Sequence, residues 1–341
     1  MTDISLTAIK AARQTIRDIA INTPLIPSPY LTEVTGQDIL LKLEMTQPMG
    51  AFKLRGAANA LLNLPDGIKG VACCSTGNHG RGVAYAAKKL GIRAVICMSE
   101  LVPKTKVDGI RALGAEVRIL GQSQDDAQAE VERLVAEDGL TEVSPFDDPH
   151  VINGQGTIAL EMLEARPDLK TLLVPLSGGG LAGGIALAAK AIKPDIHVVG
   201  ITMERGAAMY ASIRAGHPVE VMEVGSLADS LGGGIMPDNR YTLDLCRTLI
   251  DETVLVSEED IYSAIQTLFY EDRLVAEGSS CVGIAALQSG KVTLKDGPAA
   301  LVITGRNVDM GMFTDIVNGH SLQLGSTKIT GKPYRRADPG R

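Results

Sequence analysis

The stretch "TLLVPLSGGGLAGGIALAAKAIKP", Thr171 to Pro194, decides how the chain is read. An apolar run, a cluster of glycines and an alanine-rich segment follow one another, the pattern of a strand, a loop and a helix. The first N–H groups of a helix have no partners inside it, so a glycine-rich turn at that point suits an anion such as phosphate. Gly178, Gly180 and Gly183 have the spacing G-x-G-x-x-G, and Glu204 follows at the end of "VVGITME". Taken alone, these features fit the dinucleotide site of an NAD-dependent oxidoreductase. The 19 residues Thr171–Ala189 carry no charge, but five glycines and one proline among them argue against a membrane span.

Outward from this segment, strand-like and helix-like stretches alternate, which predicts an α/β fold with parallel strands. In "GVACCSTGNHGRGVAYAAKKLGIRAVICM", Val71–Cys74 reads as a strand and Ser75–Asn78 as a loop. A helix then runs to about Leu90, and Gly91 stops it before a strand over 94–98. The plan repeats with a helix from about Lys104, a stop at Gly114 and a strand over 116–120; another helix ends at Gly139. A second series starts near Val151, holds the opening segment and a strand over 197–202, and closes on a strand over 299–303. Beyond Gly319, five basic residues without periodicity predict an extended or poorly ordered arm.

A chain of 341 residues has room for two lobes with separate cores. Aromatic residues are 3 % and Trp is absent, so those cores rest on Ala, Val, Ile and Leu, as where helices pack on parallel strands. The net charge of −7 and the lack of a basic stripe with interleaved aromatics argue against nucleic acid as a partner. The five cysteines (73, 74, 97, 246 and 281) form no C-x-x-C pair, which predicts reduced thiols in a cytoplasmic protein rather than disulfides or a structural metal. Asp3 and Lys10 interrupt any apolar leader.

Three polar stretches carry candidate chemistry. In "QPMGAFKLRGAANALLNL", Lys53 and Arg55 interrupt an uncharged run that leads into an apolar helix. A buried lysine there is a free amine in waiting, because desolvation lowers its pKa; an exposed lysine at a helix start is the plain alternative. "CSTGNHG" sets Ser75, Thr76, Gly77, Asn78 and His79 at the start of a helix, more polar groups than one N-cap requires, and suits a carboxylate. "VITGRNVDMG" ends the last strand with Thr304 and Asn307, where open parallel sheets place their ligands. A simple turn explains that stretch almost as well, and "LGGGI" (231–235) needs only to be a tight loop.

Together, "GAFKLRGA", "STGNHG", "SGGGL" and "TGRNVD", in this order and spacing, resemble the fold-type II pyridoxal-phosphate enzymes, the serine/threonine dehydratase and serine racemase family, from about residue 20 to 318. The resemblance implies two lobes, each an open, mostly parallel sheet flanked by helices, as in tryptophan synthase β. Residues 1–66 and 148–320 would form a large cofactor-binding domain, 67–147 a small substrate-loop domain, and 321–341 a C-terminal arm. It implies that Lys53 forms the Schiff base with pyridoxal 5'-phosphate, that Phe52 lies against the ring, and that Asn78 bonds the ring hydroxyl. The loop Ser75–His79 would hold the substrate carboxylate, and Ser177, Gly178, Gly179, Gly180 and Leu181 the phosphate. Thr304 would face the ring nitrogen, where a neutral hydroxyl, unlike a carboxylate, withholds a full positive charge.

The chain also departs from the family pattern. Ser177 replaces a frequent glycine, and Arg306 stands where glycine is common. Thr76, which the resemblance makes catalytic beside Lys53, takes the place of the racemases' serine, which weakens a two-base racemisation. Thr202 and Ala208 replace the carboxylates of the racemase cation site, so no metal is expected, and neither is a C-terminal regulatory domain. The implied activity is β-elimination from a β-hydroxy-α-amino acid to a 2-oxo acid and ammonia, by a homodimer or tetramer. Racemase and β-replacement synthase are the alternatives. "SLADSLGGGIMPDNRYT" is similar to hydroxyectoine-utilisation dehydratases, which points to a 3-hydroxy-diaminobutyrate derivative beside threonine, serine and 3-hydroxyaspartate.

Overall fold

The structure is a computed structural model and describes residues 3–102 and 104–336. Twelve strands are present among them: β1 (Leu25–Pro27), β2 (Ile39–Lys42), β3 (Val71–Cys74), β4 (Ala94–Met98), β5 (Glu116–Ile119), β6 (Thr141–Glu142), β7 (Thr171–Pro175), β8 (His197–Met203), β9 (Glu252–Val256), β10 (Ala299–Val302), β11 (Leu322–Leu324) and β12 (Thr327–Ile329). They form a six-stranded sheet ordered β1-β2-β10-β7-β8-β9, a four-stranded sheet ordered β5-β4-β3-β6, and the hairpin β11-β12. Apart from β1, antiparallel to β2, every neighbour pair in the two larger sheets is parallel. Parallel neighbours need crossovers, which is why helices alternate with strands along the chain.

Both faces of the large sheet are covered. Leu41, Leu301, Leu173, Val199 and Ile201 point into one core; Leu40, Ala300, Leu172, Val174 and Val198 point into the other. The period of two along each strand therefore carries apolar residues on both sides, the cause of the continuous apolar runs. Two further cores cover the small sheet. Val71, Cys73, Ala94 and Ile96 face one, which Leu54, Ala57, Ala58 and Leu61 of the helix Lys53–Leu62 also enter; Ala72, Val95 and Cys97 face the other.

The strand, loop and helix of the opening segment are observed as β7 and the helix Gly180–Ile192. The tail differs from its expectation as an extended arm. β11 and β12 fold back as a hairpin whose Ile329 is fully buried. Tyr334 then stacks on Tyr270 with ring centres 4.8 Å apart, and Arg336 lies over the Tyr30 ring and pairs with Glu33. Apolar and aromatic groups spaced among the basic residues hold the tail down, although they make no regular period. Residues 337–341 of that predicted arm lie outside the described residues.

Candidate active site

The polar stretches converge because each follows the C-terminal end of a parallel strand. The segment after β2 and the segment after β10 run side by side: Phe52 N–H donates to the Thr304 carbonyl at 2.9 Å, and Arg306 N–H to that of Gly50 at 2.9 Å. Ala51 bridges Gly305 between them. Lys53 opens the helix Lys53–Leu62, and its Nζ donates to the Pro145 carbonyl at 2.6 Å, 5.5 Å from the centre of the Phe52 ring. The residue as a whole is half-buried, but its amine is enclosed, and that burial alone pulls its pKa down to about 8. Of the two readings for this lysine, the buried amine is the one observed, close to losing its proton at neutral pH.

Arg55, two residues along, is also buried but fully paired. Its guanidinium donates to both oxygens of Glu44 at 2.8 Å and reaches Glu161 at 2.6 and 2.8 Å. Lys42 completes the cluster by donating to Glu161 and to the Thr23 carbonyl. The cluster ties the start of the lysine helix to β2 and to the helix Pro149–Ala165.

Asn78 opens the helix Asn78–Leu90 with its side chain clamped on both sides. Its Nδ2 donates to Glu277 at 2.8 Å, and its Oδ1 accepts from Asn307 Nδ2 at 2.7 Å. One Nδ2 hydrogen is left over, which fixes the amide as a donor toward any further partner. Burial pushes the Glu277 carboxyl up to about 7, against the hydrogen bond from Asn78.

The rest of "STGNHG" divides. Thr76 is half-buried, and Ser75 Oγ accepts from Gly77 N–H at 3.4 Å. His79 is buried with its Nε2 2.8 Å from the Val143 carbonyl, and burial lowers its pKa to about 3. Its ring is a neutral donor to the backbone, so at this position the loop offers a ligand only its main chain.

At the glycine loop, Gly179 adopts φ 88° and starts the helix Gly180–Ile192 with no side chain capping it. A Cβ on Gly178 would fall 2.3 Å from the Phe146 ring, and one on Gly180 2.8 Å from the Phe146 carbonyl oxygen. Only glycine lets the backbone approach so closely, with uncapped N–H groups at the start of a 13-residue helix. Ser177 is half-buried and Leu181 buried. Phe146 sits between Pro145, which holds Lys53, and Asp147, whose carboxylate accepts from the N–H groups of Arg240, Tyr241 and Thr242 at 2.7, 3.0 and 2.9 Å. Thr304 is buried and bonds Ser280 at 2.9 Å.

Sequence motifs alone pass over Glu277, Ser280, Phe146 and Asp147. Each acts by touching residues of another stretch and carries no motif of its own; only the lone acid in "LVAEGSSCVGIAAL" hints at Glu277.

An uncapped glycine cradle, a buried amine without a carboxylate partner beside an aromatic ring, and a buried hydroxyl fit the phosphate, aldehyde and pyridine of one group. The family model for "Pyridoxal-phosphate dependent enzyme" matches residues 16–305, and the chain belongs to that family. It is a pyridoxal-phosphate-dependent lyase. A Sinorhizobium fredii protein provisionally named threonine dehydratase is 54 % identical, covering 94 % of this chain and 97 % of its own. The L-threonine ammonia-lyase of Thermotoga maritima is 40 % identical over 94 % of this chain and 80 % of its own. The structure of maize serine racemase superposes with a TM-score of 0.86 and 31 % identity, covering 91 % of this chain and 96 % of that one. The oxidoreductase reading falls with these findings. Glu204, its ribose ligand, pairs instead with Lys291 at 3.1 Å. No helix among the described residues is long and apolar enough to cross a membrane.

Proposed function

We propose that the enzyme removes water from a β-hydroxy-α-amino acid and releases a 2-oxo acid and ammonia. The observation that carries this reading is the Lys53 amine, buried and with its pKa lowered to about 8, beside the glycine cradle's neighbour Pro145. Such an amine holds and returns a proton near neutral pH. When bound, pyridoxal phosphate supplies a sink for the electron pair left at Cα. The uncapped N–H groups of residues 177–181 would hold its phosphate, and Phe52 would lie against its ring. Asn78, its orientation set by Glu277 and Asn307, would donate to the ring hydroxyl, and Thr304 would face the ring nitrogen.

The backbone of Ser75–His79 and the hydroxyls of Ser75 and Thr76 bind the substrate carboxylate. Lys53 takes the Cα proton and delivers it to the leaving β-hydroxyl. The released enamine hydrolyses in water. Two relatives named for threonine support elimination, and the replacement of the racemases' serine by Thr76 argues against racemisation as the main outcome.

Threonine, serine and a hydroxyectoine-derived 3-hydroxy-diaminobutyrate are the proposed substrates. Support for the last is the 226–242 stretch, which Asp147 anchors beside the glycine loop. The enzyme would act in the cytoplasm as a dimer or tetramer. The test is a screen of these amino acids for 2-oxo acid and ammonia, with Lys53→Ala as control. Product of inverted configuration, or product formed only with an added nucleophile, would transfer the enzyme to the racemases or the synthases.

A further inference from the structure

We propose that Asp147 is a positioning residue for the cofactor site: it fastens the segment 145–147 so that the Pro145 carbonyl meets the Lys53 amine and Phe146 closes the glycine cradle. The proposal rests on the reading that this cradle takes the cofactor's phosphate. Asp147 is half-buried, and its carboxylate is engaged by main chain 93 to 95 positions further along.

The helix Thr242–Leu249 begins after Tyr241, which offers it no side-chain cap. Asp147 supplies the cap from outside. Its Oδ1 accepts from the N–H groups of Tyr241 and Thr242 at 3.0 and 2.9 Å, and its Oδ2 from that of Arg240 at 2.7 Å. Asn239 takes the next N–H, that of Leu243, at 2.9 Å. A carboxylate suits this end of a helix, where unpaired N–H groups and the positive pole coincide. The next residue, Asp148, accepts from Val151 N–H at 2.9 Å and caps its own helix, Pro149–Ala165. Two successive carboxylates therefore pin the chain just after Phe146 to two different helices.

Both walls of the cradle depend on this anchor. Phe146 forms one, against Gly178 and Gly180. The helix that Asp147 caps forms the other. A Cβ on Gly179 would fall 2.9 Å from Thr242 Cβ and 2.9 Å from Cys246 Sγ, and that thiol donates to the Gly179 carbonyl at 3.6 Å. One turn further, a Cβ on Gly183 would meet Leu245 at 3.2 Å. Asp147 thus sets the separation of the walls, and through Pro145 it also places the acceptor of Lys53 Nζ. Without the carboxylate, three N–H groups need water, and the segment must give way to admit it. Water that reaches Lys53 by this route undoes the burial that alone lowers its pKa, so the pKa rises. His79, the titratable neighbour of Lys53, is neutral in this range and adds no charge.

The experiment separates phosphate from ring. Wild type, Asp147→Ala and Asp147→Asn, each freed of cofactor, are titrated with pyridoxal 5'-phosphate and with pyridoxal, which has the ring and aldehyde but no phosphate. The rate at which the lysine takes up pyridoxal, fixed with borohydride, is followed against pH, with Lys53→Ala as the background of other lysines. Apoprotein melting reports folding. Asp147→Asn keeps one oxygen for Tyr241 and Thr242, and it is the variant to read where Asp147→Ala does not fold. The expected result for Asp147→Ala is a dissociation constant for pyridoxal phosphate raised about tenfold, as for one lost hydrogen bond to a charged group. Pyridoxal should change less, the uptake profile should move to higher pH, and Asp147→Asn should lie between Asp147→Ala and wild type. A variant that melts lower but binds both compounds and takes up pyridoxal as wild type does reduces Asp147 to a helix cap and overturns the proposal. Equal losses for the two compounds move the effect away from the cradle and overturn it too. Equal binding of both by wild type would instead remove the phosphate from the glycine loop and end the reading beneath the proposal.

Discussion

Lys53 and Arg55 stand two residues apart on one helical turn, both with charges withdrawn from water, and they have met opposite fates. Burial drives the Lys53 amine toward its neutral form. Burial works equally against the Arg55 charge, yet Glu44 and Glu161 more than compensate and raise its pKa above the ordinary arginine value. Glu44 shows the reciprocal effect: burial alone would raise its pKa, and Arg55 brings it below the usual carboxylate range. The difference lies in the partners and not in the depth. A buried cation given carboxylates becomes part of the frame, and one given only a carbonyl becomes reactive.

The widest separation between the two should come from removing each in turn. Lys53→Ala is expected to lower turnover by at least about a thousandfold, since the proton-transferring group is gone, while the apoprotein melts no lower than the parent. Ammonia release and thermal melting measured on the same preparation check both halves. A large loss of melting temperature would mean that Lys53 also belongs to the frame.

Arg55→Met is expected to do the reverse at the level of folding. It leaves Glu44 and Glu161 buried with Lys42 as the remaining cation, a cost of about 3–5 kcal/mol. Adding Glu44→Gln should recover part of that loss, because one uncompensated carboxylate is removed. Denaturant unfolding of the two variants decides this, and a double variant no more stable than Arg55→Met would sink the account.

The same contrast explains what the sequence can show. Lys53 and Arg55 are visible as the charges in "GAFKLRGAANALLNL", but nothing there says which of them has carboxylates. Glu44 and Glu161 are 11 and 106 positions from Arg55 in the chain, and only the fold brings them together. The β–loop–helix units around Val71 and Thr171 are legible nearly to the residue, because apolar periods, glycine stops and helix starts are local signals. β1 and β2 escape notice because short strands beside a proline and a lysine carry little pattern. The hairpin of the tail is hidden for the same reason. Asn78 and Thr304 stand out by their motifs, whereas Glu277 and Ser280, which bond them, sit in a helix start with no distinctive spacing.

His79 offers the third outcome for a buried base near Lys53, complete neutrality, and supplies the smallest of the expected effects. Burial first, and then the Lys53 charge, lower its pKa to about 3, against a weaker opposing effect of the Val143 carbonyl. In the unfolded chain the same ring titrates near about 6.5. Between those values the unfolded chain binds a proton that the folded chain refuses, so stability must fall as pH drops from the higher value toward the lower. At pH 5 the loss from this residue is about 2 kcal/mol. His79→Gln keeps a donor for the Val143 carbonyl and removes the titration, so its unfolding free energy should decline less between pH 7 and pH 5 by that amount. In a Lys53→Ala background the histidine's loss should level off at a higher pH, because one of the two causes of the lowered pKa is gone. Parallel acid-side slopes for the parent and His79→Gln would show that the histidine is charged in the fold, and the site would then hold two cations side by side.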